Sequence, residues 1–180
     1  MFSNLPGSQI ESIILQFAYY FLLFILYSFG GWIVECIWTY FMKHKLENRG
    51  FFFGPICPIY GVGSLVCVLL IGPLHLSWPL EFLLMIVICD LIEYITSVVL
   101  EKIYNVRWWD YTTASLLHLN GRISLETSIG FGVGSIFILH LIQPFFSRLL
   151  APLNPLSLLV ISGLLLIIFV ADILLSLIDI

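Results

Sequence analysis

Residues 81–102 read EFLLMIVICDLIEYITSVVLEK. Most of this stretch is hydrocarbon, and a helix of that length spans a bilayer core of roughly 30 Å. Yet Asp90, Glu93, Ser97 and Glu101 are spaced 3, 4 and 4. At about 100° per residue they fall within an arc of roughly 80° on one helical face. A carboxylate at the centre of a membrane helix costs about 2.5–3.5 kcal/mol on insertion scales, so such a stripe must face a partner or water rather than lipid. The stretch therefore reads as a membrane helix with one functional or structural polar face.

The rest of the chain agrees. Of its 180 residues 61% are hydrophobic and 10% are charged, where soluble domains carry roughly 25% charged residues. A chain this short cannot hide that much apolar surface in a water-facing fold. The expected class is all-α, a polytopic membrane helix bundle forming a single domain over residues 1–180, with spans at about 13–42, 62–76, 80–100, 123–146 and 156–177. The first span is expected to stay in the protein, because no Lys or Arg precedes Lys43 and no small-residue cleavage site follows it. It exceeds the bilayer thickness, and Gly30-Gly31 is its expected bend.

Between the first two spans, FFFGPICPIYG at 51–61 holds two prolines and two glycines. Proline breaks the helical hydrogen-bond ladder and the freed groups cannot face lipid, so a broken or re-entrant segment is expected there. Lys43, Lys45 and Arg49 follow span one; Lys102, Arg107 and Arg122 lie between spans three and four; Arg148 alone lies on the other side. This bias places the chain in the cell membrane with its amino end outside and its carboxyl end cytoplasmic.

Glu35, Glu101, Glu126, Asp110 and the arginines Arg49, Arg107 and Arg122 then gather towards the cytoplasmic boundary, while Asp90 and Glu93 reach deeper. The stretch RWWDYTTASLLHLNGR at 107–122 is cytoplasmic in this orientation. Trp108, Trp109 and Tyr111 suit a membrane–water boundary, but Asp110 needs a charge partner. It is expected to pair with Arg49 or Arg122 and close the acidic cavity as a plug. Asp172 and Glu126 sit near membrane edges, where structural pairing is the plainer reading. Carboxylates with tyrosine and backbone carbonyls suit a hard cation better than zinc. No HExxH, clustered His or Cys pair is present, and no resident metal or cofactor is expected. His118, within the 107–122 motif, is the one histidine with a functional reading. Cys36, Cys57, Cys67 and Cys89 lack CxxC spacing and read as packing residues or free thiols. No GxSxG, catalytic Cys/His signature or GxxxxGK[ST] loop occurs, so this chain carries no ATPase motif. Ser124, Ser128, Gly132 and Ser135 form a small-residue face for close helix approach, within the chain or across a homodimer.

NRGFFFGPICPIYGVG (48–63), LIEYITSVVLEKIYNVRWWDY (91–111) and LNGRISLETS (119–128) together resemble the type IV ABC-transporter permeases, the CmpB-like membrane proteins, over roughly residues 20–145. The resemblance implies signature positions at Glu35, Asn48-Arg49-Gly50, Gly54-Pro55, Pro58 to Gly61 with Tyr60, Glu93-Tyr94, Glu101, Trp108 to Tyr111 and Gly121-Arg122. Where that pattern leads us to expect Trp-Gly, this chain has Ile129-Gly130. Glu35, Arg49, Tyr60, Asp90, Glu93, Tyr94, Glu101, Trp109, Asp110 and Arg122 are the resulting candidates for a substrate-binding polar cavity. A permease of this kind implies a separate ATPase subunit and membrane lipid as partners, and transport of a small solute or ion. Two other readings stay open. One is a membrane enzyme on a lipid or lipid-linked phosphate, with Glu93 as base and Arg49 or Arg122 on the phosphate. The other is a structural accessory subunit.

Overall fold

The computed structural model describes residues 9–45 and 52–178. The described residues are all-α apart from one small hairpin. Among the described residues, four helical stretches are long and apolar enough to cross a membrane: Gln9–Phe41, Trp78–Tyr104, Leu125–Leu150 and Pro155–Ile178. Pro58–Leu74 is a shorter apolar helix. The chain divides into two compact units, the described residues up to Leu65 with those from Phe146 onward, and Val66–Phe145.

In the first unit, helix α1 (Gln9–Lys43) runs unbroken through Gly30-Gly31, and α2 begins at Pro58 (Pro58–Val66). Proline suits that first helical position because the N–H it lacks would be unpaired there anyway. Gly31 allows α1 and α2 to approach closely: a Cβ at Gly31 would fall on the Tyr60 side chain. Reciprocally, a Cβ at Gly61 would fall on Ser28 and 2.7 Å from the Phe24 ring. The Cys57 N–H donates to the Ser28 carbonyl at 2.9 Å. The glycines expected to bend the helix thus serve in part as a packing seat, as small residues do between membrane helices.

Helix α6 (Pro155–Ile178) packs its Phe169 against Phe21, Phe24 and Phe52, with ring centres 5.6–6.2 Å apart. From the same helix, Asp172 accepts the N–H groups of Phe53 (3.1 Å) and Gly54 (3.1 Å). The Phe53 N–H also lies 3.3 Å from the Ser176 hydroxyl. The Gly/Pro-rich segment before α2 is therefore held by a side-chain carboxylate where its backbone has no helical partner, which answers the requirement that every polar group at membrane depth be satisfied.

The second unit is built on α3 (Trp78–Tyr104) and α4 (Leu125–Phe137). Asn105 ends α3 in the left-handed conformation, its N–H returning to the Glu101 carbonyl. Ser124 starts α4 with a capping box shared with Thr127. On the two helices the buried residues recur mostly every fourth position: Glu81, Met85, Glu93 and Ser97 on one, Ser124, Ser128 and Gly132 on the other. Such rows slant across the helix axis and interdigitate. A Cβ at Gly132 would collide with the Phe82 ring, and the Ser128 hydroxyl bonds Asp90. The small-residue face offered for a homodimer is therefore occupied by α3 of the same chain. A further cluster, Cys67, Ile71 and Met85, packs with Leu84, Ile88, Ile138 and Leu139. It joins two helical turns of wider π-type pitch, Cys67–Ile71 and Ile138–Ile142.

Between α3 and α4 the chain makes a short antiparallel hairpin, β1 (His118–Leu119) with β2 (Ile123–Ser124). Asn120 (φ 54°) and Gly121 (φ 69°) turn it. A Cβ at Gly121 would strike the Asp110 carboxylate and Thr112, so glycine is required there on two counts.

Candidate functional site

The polar stripe of α3 is covered along its length by residues 105–124, hereafter the cap, and by the start of α4. Ser128 donates to Asp90 Oδ2 at 2.7 Å. The Tyr111 hydroxyl donates to Glu93 Oε1 at 3.0 Å. Arg122 donates to the Ser97 hydroxyl at 2.8 Å and pairs closely with Glu101. Arg107 approaches Glu101 at 3.7 Å and pairs with Asp110 at 3.1 Å. All four stripe residues therefore meet a side chain that follows them in sequence.

The cap is positioned by its own polar groups turned towards α3. Trp109 gives its indole N–H to the Arg122 carbonyl at 3.0 Å, and Asn120 gives its amide to the Tyr94 hydroxyl at 3.1 Å. The Arg122 guanidinium lies 5.8 Å from the centre of the Tyr94 ring, within cation–π range. Ser115 donates to Glu126 at 2.6 Å, tying the cap to the first turn of α4. His118 accepts the Gly121 N–H through Nδ1 at 3.1 Å, a turn contact rather than a ligand position. Glu93 is buried (6% exposed), whereas Asp110 is exposed. The Thr112 N–H and hydroxyl, followed by Arg107, hold the Asp110 carboxyl below the usual carboxylate range.

Of the ten candidates, Asp90, Glu93, Tyr94, Glu101, Trp109, Asp110 and Arg122 fall in this one network. Glu35 and Tyr60 form a separate pair in the first unit, the tyrosine donating to the carboxylate at 2.6 Å. Arg49 lies outside the described residues. The expected Asp110–Arg122 pairing is corrected: Arg122 is taken by Glu101 and Ser97, and Asp110 pairs with Arg107, three residues away. The short range wins because a cap turn brings Arg107 alongside, while the hairpin aims Arg122 down onto α3.

Membership of a known family decides what this network belongs to. The family described as "Putative ABC-transporter type IV" matches residues 22–177. The chain belongs to that family. Comparison with the curated proteins returns no match, nor does comparison with the solved structures. The chain is thus a multi-pass membrane protein of an ABC-transporter family.

Sequence reasoning missed two features. Tyr111, read only as a boundary aromatic, reaches Glu93 across 18 positions; no local spacing signals that fold-back. The second is Glu81, 3% exposed, whose carboxylate lies 2.7 Å from His140 Nε2, with the Trp78 ring centre 5.6 Å from the imidazole. A fixed arc on α3 leaves Glu81 out. The every-fourth-residue row, which slants from Glu81 through Met85 to Glu93, would have found it.

Proposed function

We propose that the chain is a permease-like membrane component that passes a small solute or ion along the polar face of α3, with the cap as its cover. The observation that carries this is the pairing of Asp90, Glu93, Ser97 and Glu101 with cap and α4 side chains. A polar track of roughly 16 Å along a membrane helix is covered by a hydrogen-bonded loop, and loop bonds break more readily than helix packing. Lifting the cap frees Glu93 and Glu101 from Tyr111 and Arg122, while Asp90 stays bonded to Ser128 of α4. Within the first unit, Glu35 and Tyr60 form their own polar pair beside the broken segment before α2, and broken helices commonly build transporter sites. Energy for uphill movement comes from a separate ATPase subunit, since this chain has no phosphate-binding loop. The orientation is that of the positive-inside bias, in the cell membrane, with the cap facing the cytoplasm and the amino end outside.

The test uses membrane vesicles of both orientations from cells with and without the chain. They are energised with ATP, and their solute content is compared by mass spectrometry. A solute that accumulates with the unaltered chain and fails to accumulate with Glu93→Gln supports transport. No difference in any solute, with the protein folded and present, contradicts it.

The completeness of the pairing also favours a second reading, an accessory subunit whose cap is a fixed clasp. Then Glu93→Gln would lower stability and leave every solute unchanged. The enzyme reading gains less: Arg122, one of its two proposed phosphate ligands, is already bound to Glu101 and Ser97, and the other, Arg49, lies outside the described residues.

A further inference from the structure

Several polar groups of the cap face inward while its leucines are exposed. Its polar groups, the Tyr111 hydroxyl, the Trp109 N–H, the Asn120 amide and the Arg122 guanidinium, turn towards α3 or into the cap itself. Its apolar side chains point out: Leu116 is 100% exposed, Leu117 64% and Leu119 55%. Leaving one leucine in water rather than burying it forgoes about 1.5–3 kcal/mol, and three adjacent leucines make a patch that calls for an apolar neighbour.

The register of the unit says what that neighbour is. Phe82 packs at Gly132 and Asp90 bonds Ser128, so antiparallel α4 begins, at Leu125, level with Glu93 of α3. The Leu117 carbonyl accepts the Leu125 N–H at 3.0 Å, which sets the leucine tip at that level as well. Trp78, 63% exposed at the start of α3, suits one membrane boundary. Glu93 lies about 23 Å further along the helix, short of the roughly 30 Å thickness of the core. The leucine tip therefore sits about 7 Å inside the opposite boundary of the hydrocarbon.

A non-helical segment tolerates that depth only if its backbone is satisfied. Here many of its N–H groups have partners. Tyr111 N–H bonds the Gly121 carbonyl, Ala114 and Ser115 N–H the Tyr111 carbonyl, and Arg122 N–H the Leu119 carbonyl. Side chains take others: Thr112 N–H goes to Asp110, Leu117 N–H to Ser115 and Gly121 N–H to His118. The strand pair takes up more.

We infer that the cap is a re-entrant interfacial element whose Leu116-Leu117-Leu119 face is seated in the lipid acyl layer of the leaflet it enters. Lipid on that face holds the cap's polar side against α3. The inference rests on the membrane fold alone and stands whether or not the chain transports anything.

The experiment places p-benzoylphenylalanine at Leu116 in the full chain, in phosphatidylcholine–phosphatidylglycerol liposomes and in native membranes, and reads the cross-linked product by mass spectrometry. Because Leu116 is 100% exposed among the described residues, the substitution is expected to leave folding intact; Ile167 on α6, 68% exposed, serves as the reference for a lipid-facing site. Phospholipid adducts at Leu116 in a yield comparable with Ile167 are expected in both preparations. Loss of the adduct at Leu116 while Ile167 retains it would overturn the inference, because the tip would then sit in water. A predominant adduct to another protein in native membranes would overturn it too, and would assign the patch to a subunit.

Discussion

The Tyr111 hydroxyl donates to the Glu93 carboxylate at 3.0 Å, joining the cap to a buried acid eleven residues before the end of α3. Removing only that donor, by Tyr111→Phe, takes a hydrogen bond from a buried group. The expected cost is about 1–3 kcal/mol. Thermal unfolding in detergent gives the total, and amide exchange over 107–124 should rise more than in α6.

The two glycines of α1 give a paired prediction. Gly31→Ala drives a methyl into Tyr60, whereas Gly30 has open space around it. Gly31→Ala should destabilise by about 1–3 kcal/mol through overpacking. Gly30→Ala should be neutral or mildly stabilising, because alanine is the better helix former. Unfolding titrations of both variants check the contrast, and equal effects would refute the close seat of α2 on α1.

Asp110 sets the acid response of the cap. Its folded pKa lies below the ordinary carboxylate value, which is about 3.9. The folded state thus binds the proton less readily than the unfolded one. The stabilisation is complete above the ordinary value and is lost as pH falls through the lower, folded value. Cap amide exchange, corrected for its intrinsic pH dependence, should stay level from neutral pH to about 5 and rise below about 4. Asp110→Asn should reduce that acid step.

His140→Ala tests the pair that the sequence concealed. It strips a buried carboxyl, Glu81, of its 2.7 Å partner, at an expected cost of about 1–3 kcal/mol. Glu81→Gln combined with His140→Ala should recover part of the loss in a double-mutant cycle. A loss no different from that of an alanine at exposed Phe137 would mean that the pair carries no energy.

Much of the fold was legible because hydrocarbon runs and bilayer thickness leave few alternatives. The stretch 81–102 announced both its span and its polar face, and the proline pair at 55 and 58 marked the break before α2. What stayed hidden depends on tertiary register. The hairpin turned by Asn120 and Gly121 was not read from the sequence, and its fold-back to Glu93 follows from α4 starting well short of the end of α3. The same register explains why Arg122 meets Glu101 instead of Asp110, and why Ser124, Ser128 and Gly132 are spent on α3 within the chain. Glu35 and Tyr60 were each named as candidates, but their pairing was not legible, since nothing in the spacing of 25 residues brings the two together.

The central claim is that movement of the cap off α3 opens the polar face. Asn120 and Tyr94, bonded at 3.1 Å, offer the place to hold it shut. Asn120→Cys with Tyr94→Cys, in a background lacking the four native cysteines, is bridged by a short cleavable cross-linker, and ATP-driven solute accumulation in vesicles is followed before and after cleavage. Accumulation lost on bridging and restored on cleavage is the expected result. Accumulation unchanged by a complete bridge would contradict it, leaving the cap as a fixed clasp.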